Sequence, residues 1–111
     1  MDKLDGKVAL VTGANRGIGK GIARGLAAEG ANLVIAARDA GKLEEAAAEI
    51  GALGVEVLSV PTDVTEEEQV DALFERAMER FGRLDILVNN AGAFDGGPIE
   101  SLDVESWDKV I

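Results

Sequence analysis

Residues 7–19 read Lys7-Val8-Ala9-Leu10-Val11-Thr12-Gly13-Ala14-Asn15-Arg16-Gly17-Ile18-Gly19, and this stretch decides the fold. An apolar run of strand character ends at Thr12. Glycines follow at positions 13, 17 and 19, and a helical pattern begins at once. A strand that passes through a glycine loop into a helix N-terminus builds an anion site. The loop amides and the helix dipole face the same point. A dinucleotide is the ligand this arrangement favours. Gly13 is expected to allow the tight turn, Gly17 a close approach of backbone to a pyrophosphate, and Gly19 close packing of helix on sheet. The spacing is Gly-x-x-x-Gly-x-Gly rather than Gly-x-Gly-x-x-Gly. Glycines alone also fit a plain helix–sheet packing motif, and Gly21 and Gly25 extend such a small-residue pattern.

Outward from this stretch, strand and helix signals alternate. The strand is expected over Lys7–Thr12 and the helix over Ile18–Glu29, with Ile22 and Leu26 on one face and Gly30 as its stop. Asn32–Ala37 is a second apolar run. Ala40–Leu53 places Leu43, Ala46, Ala47 and Ile50 on one helical stripe, and Gly51 and Gly54 bracket its end. Val55–Val60 is a third strand, closed by Pro61. Thr65-Glu66-Glu67-Glu68 reads as a capping box. The helix it opens puts Val70, Leu73, Phe74, Ala77 and Phe81 on one face and stops at Gly82. Leu84–Val88 is a fourth strand. Asn89–Glu100 is turn-rich, and Asp103 is positioned to cap a last helix holding Trp107 and Ile111. Alternation with short connections implies parallel strands and right-handed crossovers. The expected fold is α/β, a Rossmann-like doubly wound parallel sheet in strand order 3-2-1-4, partial, in one domain over 1–111.

Composition agrees. Apolar residues are 47%, charged residues 29% and aromatics 4%, so the core rests on aliphatic side chains suited to strands buried on both faces. A formal net charge of −10 argues against nucleic acid and acidic membranes as partners. There is no His, Cys or Tyr, which removes thiolate chemistry, makes zinc improbable and leaves few proton-transfer groups. The N-terminus has no signal-peptide pattern and no stretch reaches membrane-spanning length, so a cytoplasmic setting is expected.

Each strand end carries polar residues. Arg16 lies in the glycine loop and Arg38 follows the second strand. There an acid would bond a ribose 2′-hydroxyl and an arginine would accommodate a 2′-phosphate. Two guanidiniums favour NADP(H) over NAD(H). Asp39 is the complication, since it is placed to take the hydroxyl instead. Asp63-Val64-Thr65 follows the third strand. Its carboxylate reads either as an acceptor for an adenine amino group or as a helix-start acid. Asn89-Asn90-Ala91-Gly92 follows the fourth strand, with side chains able to bond backbone on one side and ribose on the other.

Thr12-Gly13-Ala14-Asn15-Arg16-Gly17-Ile18-Gly19, Asp63-Val64 and Asn89-Asn90-Ala91-Gly92, in that order at successive strand ends, resemble the N-terminal half of a short-chain dehydrogenase/reductase. The likeness covers essentially the whole chain. It implies that Gly13, Asn15, Arg16, Gly17, Ile18 and Gly19 hold the pyrophosphate and neighbouring groups. By the same resemblance Arg38 reads the 2′-phosphate, Asp63 and Val64 hold adenine, and Asn90, Ala91 and Gly92 line the ribose. Asn89 would tie the fourth strand into the sheet. The family catalyses hydride transfer between a nicotinamide cofactor and a carbonyl or alcohol, using Asn, Ser, Tyr and Lys. The last two form Tyr-x-x-x-Lys, and none of the four positions falls within these residues. Ser101 and Ser106 lie outside that pattern. No catalytic residue or metal ligand is therefore assigned, and the chain is expected to be a truncated, cofactor-binding piece without turnover. A second expectation is self-association. In a partial sheet the edge of Leu84–Val88 would be bare and open to pairing with another copy.

Overall fold

The computed structural model describes residues 3–90 and the backbone of 104–106. The elements run β1 (Val8–Thr12), α1 (Gly17–Ala28), β2 (Asn32–Ala37), α2 (Ala40–Gly51), β3 (Val57–Pro61), α3 (Glu67–Phe81), β4 (Ile86–Asn89) and β5 (Val104–Ser106). The sheet order is β3-β2-β1-β4-β5. β1 pairs in parallel with both β2 and β4, in the registers Leu10↔Val34 and Leu10↔Leu87. This is the doubly wound arrangement expected from the alternation.

Every residue of β1 is buried, and β2 is buried from Leu33 to Ala37. Because strand side chains alternate, the two faces gather separate cores. Ala9, Val11, Leu33 and Ile35 meet Ala23 and Ala27 of α1 and Leu43, Ala46 and Ile50 of α2. Val8, Leu10, Val34 and Ala36 meet Leu73 and Ala77 of α3. Burial of a Leu or Ile side chain such as Leu43 or Ile50 is worth about 1.5–3 kcal/mol. The face of α1 turned to the sheet is Gly19, Ala23 and Ala27, one residue around from the expected pair. Ile22 and Leu26 flank it, half-buried against the same core. Small residues let this helix lie close to the strands.

The helix stops behave as read. Gly30 has φ +101°. Its N–H reaches Ala27 O at 2.9 Å and the Ala31 N–H reaches Leu26 O at 3.1 Å, a Schellman ending. Gly82 closes α3 in the left-handed region at φ +75°.

Three expectations are corrected. Thr65 does not cap α3. The N-cap is Glu66, without a side-chain cap bond. The Thr65 hydroxyl instead donates to Asp63 Oδ1 at 2.6 Å, and the Gln69 side chain reaches back to the Asp63 N–H at 2.8 Å. The hydroxyl is turned upstream to donate to a charged carboxylate, a stronger bond than accepting from a first-turn N–H would give. Residues 104–106, expected within a last helix, form β5, antiparallel to β4 with Leu87↔Glu105. For the same reason the fourth-strand edge is not bare. β5 satisfies its backbone groups within the chain, which removes the basis for self-association through that edge. Trp107 and Ile111, and the turn-rich stretch beyond Asn90, lie outside the described residues.

Candidate functional site

The strand order reverses beside β1, and at such a switch point an open α/β sheet leaves a crevice at the carboxyl ends of its strands. Here the ends of β1, β2 and β3 border a cleft of about 540 Å³. Gly13, Asn15 and Arg16 line it from the glycine loop. Arg38, Asp39 and Lys42 line it from the start of α2, and Thr62, Asp63, Val64 and Thr65 from the turn after β3.

The glycine loop is held from below. The amides of Gly13 and Ala14 both donate to Ala36 O, at 2.8 and 3.4 Å. They serve the fold and are not available to an anion. The N-cap of α1 is Arg16, which makes no side-chain cap bond. Arginine has no acceptor to offer. Among the described residues, the first-turn amides of Gly17, Ile18 and Gly19 have no hydrogen-bond partner. Gly17 has φ +58°, and a Cβ there would meet nothing within 4 Å, so the backbone is open to solvent on that side. Ile18 is 70% exposed beside it.

Gly19 lets the start of α1 pack close, as expected from the sequence, and what it meets is the turn that leaves β1. A Cβ at this position would collide with the carbonyl group of Gly13 and with Asn90 Nδ2, at 2.7 Å. Its absence brings the helix start onto the loop itself. Asn90 donates to Gly13 O at 3.5 Å and so closes the far side of the loop. Asn89 accepts from Thr12 Oγ1 at 3.2 Å, a tie between β4 and β1 in keeping with the expected structural role. Gly21 and Gly25 face open space and are exposed, so they do not form a packing stripe.

At the other end of the cleft, the Asp39 carboxylate caps α2 by accepting the Lys42 N–H at 3.0 Å. From the sequence Asp39 is expected as a sugar ligand, and the cap gives it a structural role instead. The Asp63 carboxylate accepts from both the hydroxyl and the amide of Thr65. Those two bonds, with weaker help from Arg38, hold its carboxyl below the usual range against the opposing effect of burial. Arg38 Nη1 stands 3.9 Å from Asp63 Oδ2 and is 74% exposed, turned to the cleft mouth. Lys42 was missed, because a surface lysine on a helix has no sequence signature of its own. Arg16, Arg38 and Lys42 thus face Asp39 and Asp63 in one cleft, a local balance of charge opposite to that of the chain. Of the sequence-derived set, Gly13, Asn15, Arg16, Arg38, Asp63 and Val64 line the cleft. Gly17, Ile18, Gly19 and Asn90 frame its loop side, and Ala91 and Gly92 lie outside the described residues. Among the described residues no group of three His, Cys, Asp or Glu is arranged to hold a metal, and no helix is long and apolar enough to cross a membrane.

Known proteins share this fold. L-sorbose reductase from Gluconobacter frateurii, solved with NADPH and L-sorbose, superposes with a TM-score of 0.80 at 48% identity, over 89% of this chain and 38% of that one. NAD+-bound xylitol dehydrogenase superposes with a TM-score of 0.75 at 40% identity, over 77% of this chain and 33% of that one. Galactitol 2-dehydrogenase from Agrobacterium fabrum is 46% identical over 108 residues, 97% of this chain and 41% of its own length. An uncharacterized oxidoreductase from Staphylococcus aureus is 44% identical over all of this chain and 47% of its own length. The chain therefore spans less than half the length of these relatives. The short chain dehydrogenase family model matches residues 7–111, and the chain belongs to that family.

Proposed function

We propose that residues 1–111 form a single domain that holds the adenosine and diphosphate part of a nicotinamide dinucleotide, NADP(H) in preference to NAD(H), for a carbonyl or alcohol oxidoreductase. The observation that carries this reading is the uncapped start of α1. An arginine stands where a capping acceptor is usual, and the amides of Gly17, Ile18 and Gly19 are left for an anion.

The residues present fit such a group. Diphosphate oxygens would take the three amides and the Arg16 guanidinium. Adenine would lie by Asp63 and Val64 across the cleft floor, and Asn90 would border the nearer ribose. Arg38 would take a 2′-phosphate, since Asp39 is engaged as the α2 cap. A bound dinucleotide supplies hydride transfer. The chain's own residues bind and orient it, and with no tyrosine in the sequence they offer no family-type proton donor. Binding without turnover is therefore expected of these 111 residues. A cytoplasmic setting belongs to the same proposal.

Calorimetric titration with NADPH, NADH and adenosine 2′,5′-bisphosphate tests it. Saturable NADPH binding, matched closely by the bisphosphate and exceeding NADH, is the expected result. Absence of binding by all three, with the fold intact by circular dichroism, would refute it.

A further inference from the structure

We propose that Lys42 is a specificity residue of this cleft, its ammonium joining Arg38 on a phosphorylated ribose against the opposing charge of Asp39. The proposal rests on the dinucleotide reading above and adds a residue and a counter-charge that the reading does not use.

Lys42 occupies the third position of α2. Its backbone N–H is pinned to Asp39 Oδ1 at 3.0 Å, and the residue lines the cleft together with Arg38. Of the other cations near this end of the sheet, two lean on carboxylates, and Arg16 at the loop side has none within ion-pair reach among the described residues. Lys20 pairs with Glu49 at 2.8 Å, and Arg38 leans on Asp63 at 3.9 Å. Among the described residues no carboxylate lies within ion-pair reach of the Lys42 ammonium.

Helix starts favour acids and disfavour cations, because the dipole presents its positive end there. α3, which does not open onto the cleft by its first turn, follows that rule with Glu67 and Glu68. α1 and α2, whose starts do face the cleft, have no acid in the first turn. Arg16 precedes α1, Arg38 precedes α2 and Lys42 lies within the first turn of α2. Such an inversion is unfavourable for an empty helix start and favourable once an anion stands before it. An ammonium on a flexible four-carbon stem is a point charge able to follow a phosphate, which complements the fixed fork of Arg38. Asp39 is the one negative charge at this helix start, and it opposes that anion while holding the helix.

Three variants of the full chain decide the matter: Lys42→Gln, Lys42→Arg and Asp39→Asn, each titrated with NADPH and with NADH. Lys42→Gln should weaken NADPH by about tenfold and leave NADH within about twofold, the scale of one charge-assisted bond. Lys42→Arg should recover most of the loss. Asp39→Asn keeps a capping side chain and should tighten NADPH by about threefold, as removal of a nearby like charge requires. All three should melt within about a degree or two of wild type, as surface substitutions do. An unchanged NADPH-to-NADH ratio in Lys42→Gln, with wild type binding NADPH, overturns the role of Lys42 alone. Wild type binding neither dinucleotide overturns the underlying reading and this one with it.

Discussion

The Asp85 carboxylate accepts the backbone N–H of Val8 at 2.9 Å, joining the starts of β1 and β4 across 77 residues of chain. Arg83 holds the same carboxylate with two parallel bonds, both 2.8 Å. Asp85 is 3% exposed, and its charge is kept in the interior by these partners.

Asp85→Ala should therefore destabilise the fold by about 2–4 kcal/mol, since a buried amide and a guanidinium lose their acceptor. Asp85→Asn keeps an acceptor for Val8 and should cost less. Urea unfolding at neutral pH measures both. Burial raises the Asp85 carboxyl, but the Arg83 and Val8 bonds outweigh it and hold it below the ordinary aspartate range. A carboxyl lowered by folding adds stability that is fully present above its unfolded value, about 3.9. That stability is lost as pH falls through the lower folded value. Wild type should weaken steeply below about pH 4, whereas Asp85→Ala should show a flatter profile. Equal slopes would count against the linkage.

Gly19→Ala sets a methyl against the backbone carbonyl of Gly13 and the Asn90 amide, so the loop or the helix start must shift to admit it. A loss of about 1–3 kcal/mol is expected, the range for overpacking. Dinucleotide binding should be lost along with it. Thermal melting and titration of the same sample test the two effects together.

Gly21→Ala and Gly25→Ala should do the opposite. Both positions are exposed helix interior with room for a methyl. Each should stabilise by about 0.5–1 kcal/mol through helix propensity and a less flexible unfolded chain. A fall in melting temperature for either would mean that these glycines meet something in solution.

Arg38→Ala should weaken NADPH by about tenfold or more and leave NADH within about twofold. Adenosine 2′,5′-bisphosphate should follow NADPH. Equal losses for both dinucleotides would place Arg38 at a group they share, and not at the 2′-position.

Much of this molecule was legible in its residues, and the reasons differ by element. The second strand is legible with its observed limits because five apolar residues follow Asn32 and end before Arg38, with no competing helical stripe. The α2 stripe of Leu43, Ala46 and Ile50 repeats at helical spacing and is buried as read. Gly30 and Gly82 stop their helices because each takes a positive φ that other residues avoid. The polar details were less legible. Asp39 and Asp63 each sit just before a helix, and an acid there serves equally as cap, turn closer or ligand. Only position in space separates Asp39 on Lys42 from Asp63 on Thr65. The Val104–Ser106 strand has three residues and no local signal, since its state is set by a pairing with Val88, Leu87 and Ile86. Asp85 was read as part of an apolar strand, because a partner 77 residues away leaves no trace nearby.

The central place of β1 bears on how the chain comes into being. Its pairing with Asn32–Ala37 needs only the strand that follows it, but its pairing with Ile86–Asn89 must wait for some fifty further residues, about the gap from Ala37 to Ile86. Synthesis runs at roughly 5–20 residues per second. For some seconds, then, a nascent chain carries paired strands of which β1, buried along its whole length in the finished fold, has one edge uncovered. Any factor that shields newborn protein would find its handle there, and the hold should release when Ile86 to Asn89 emerge.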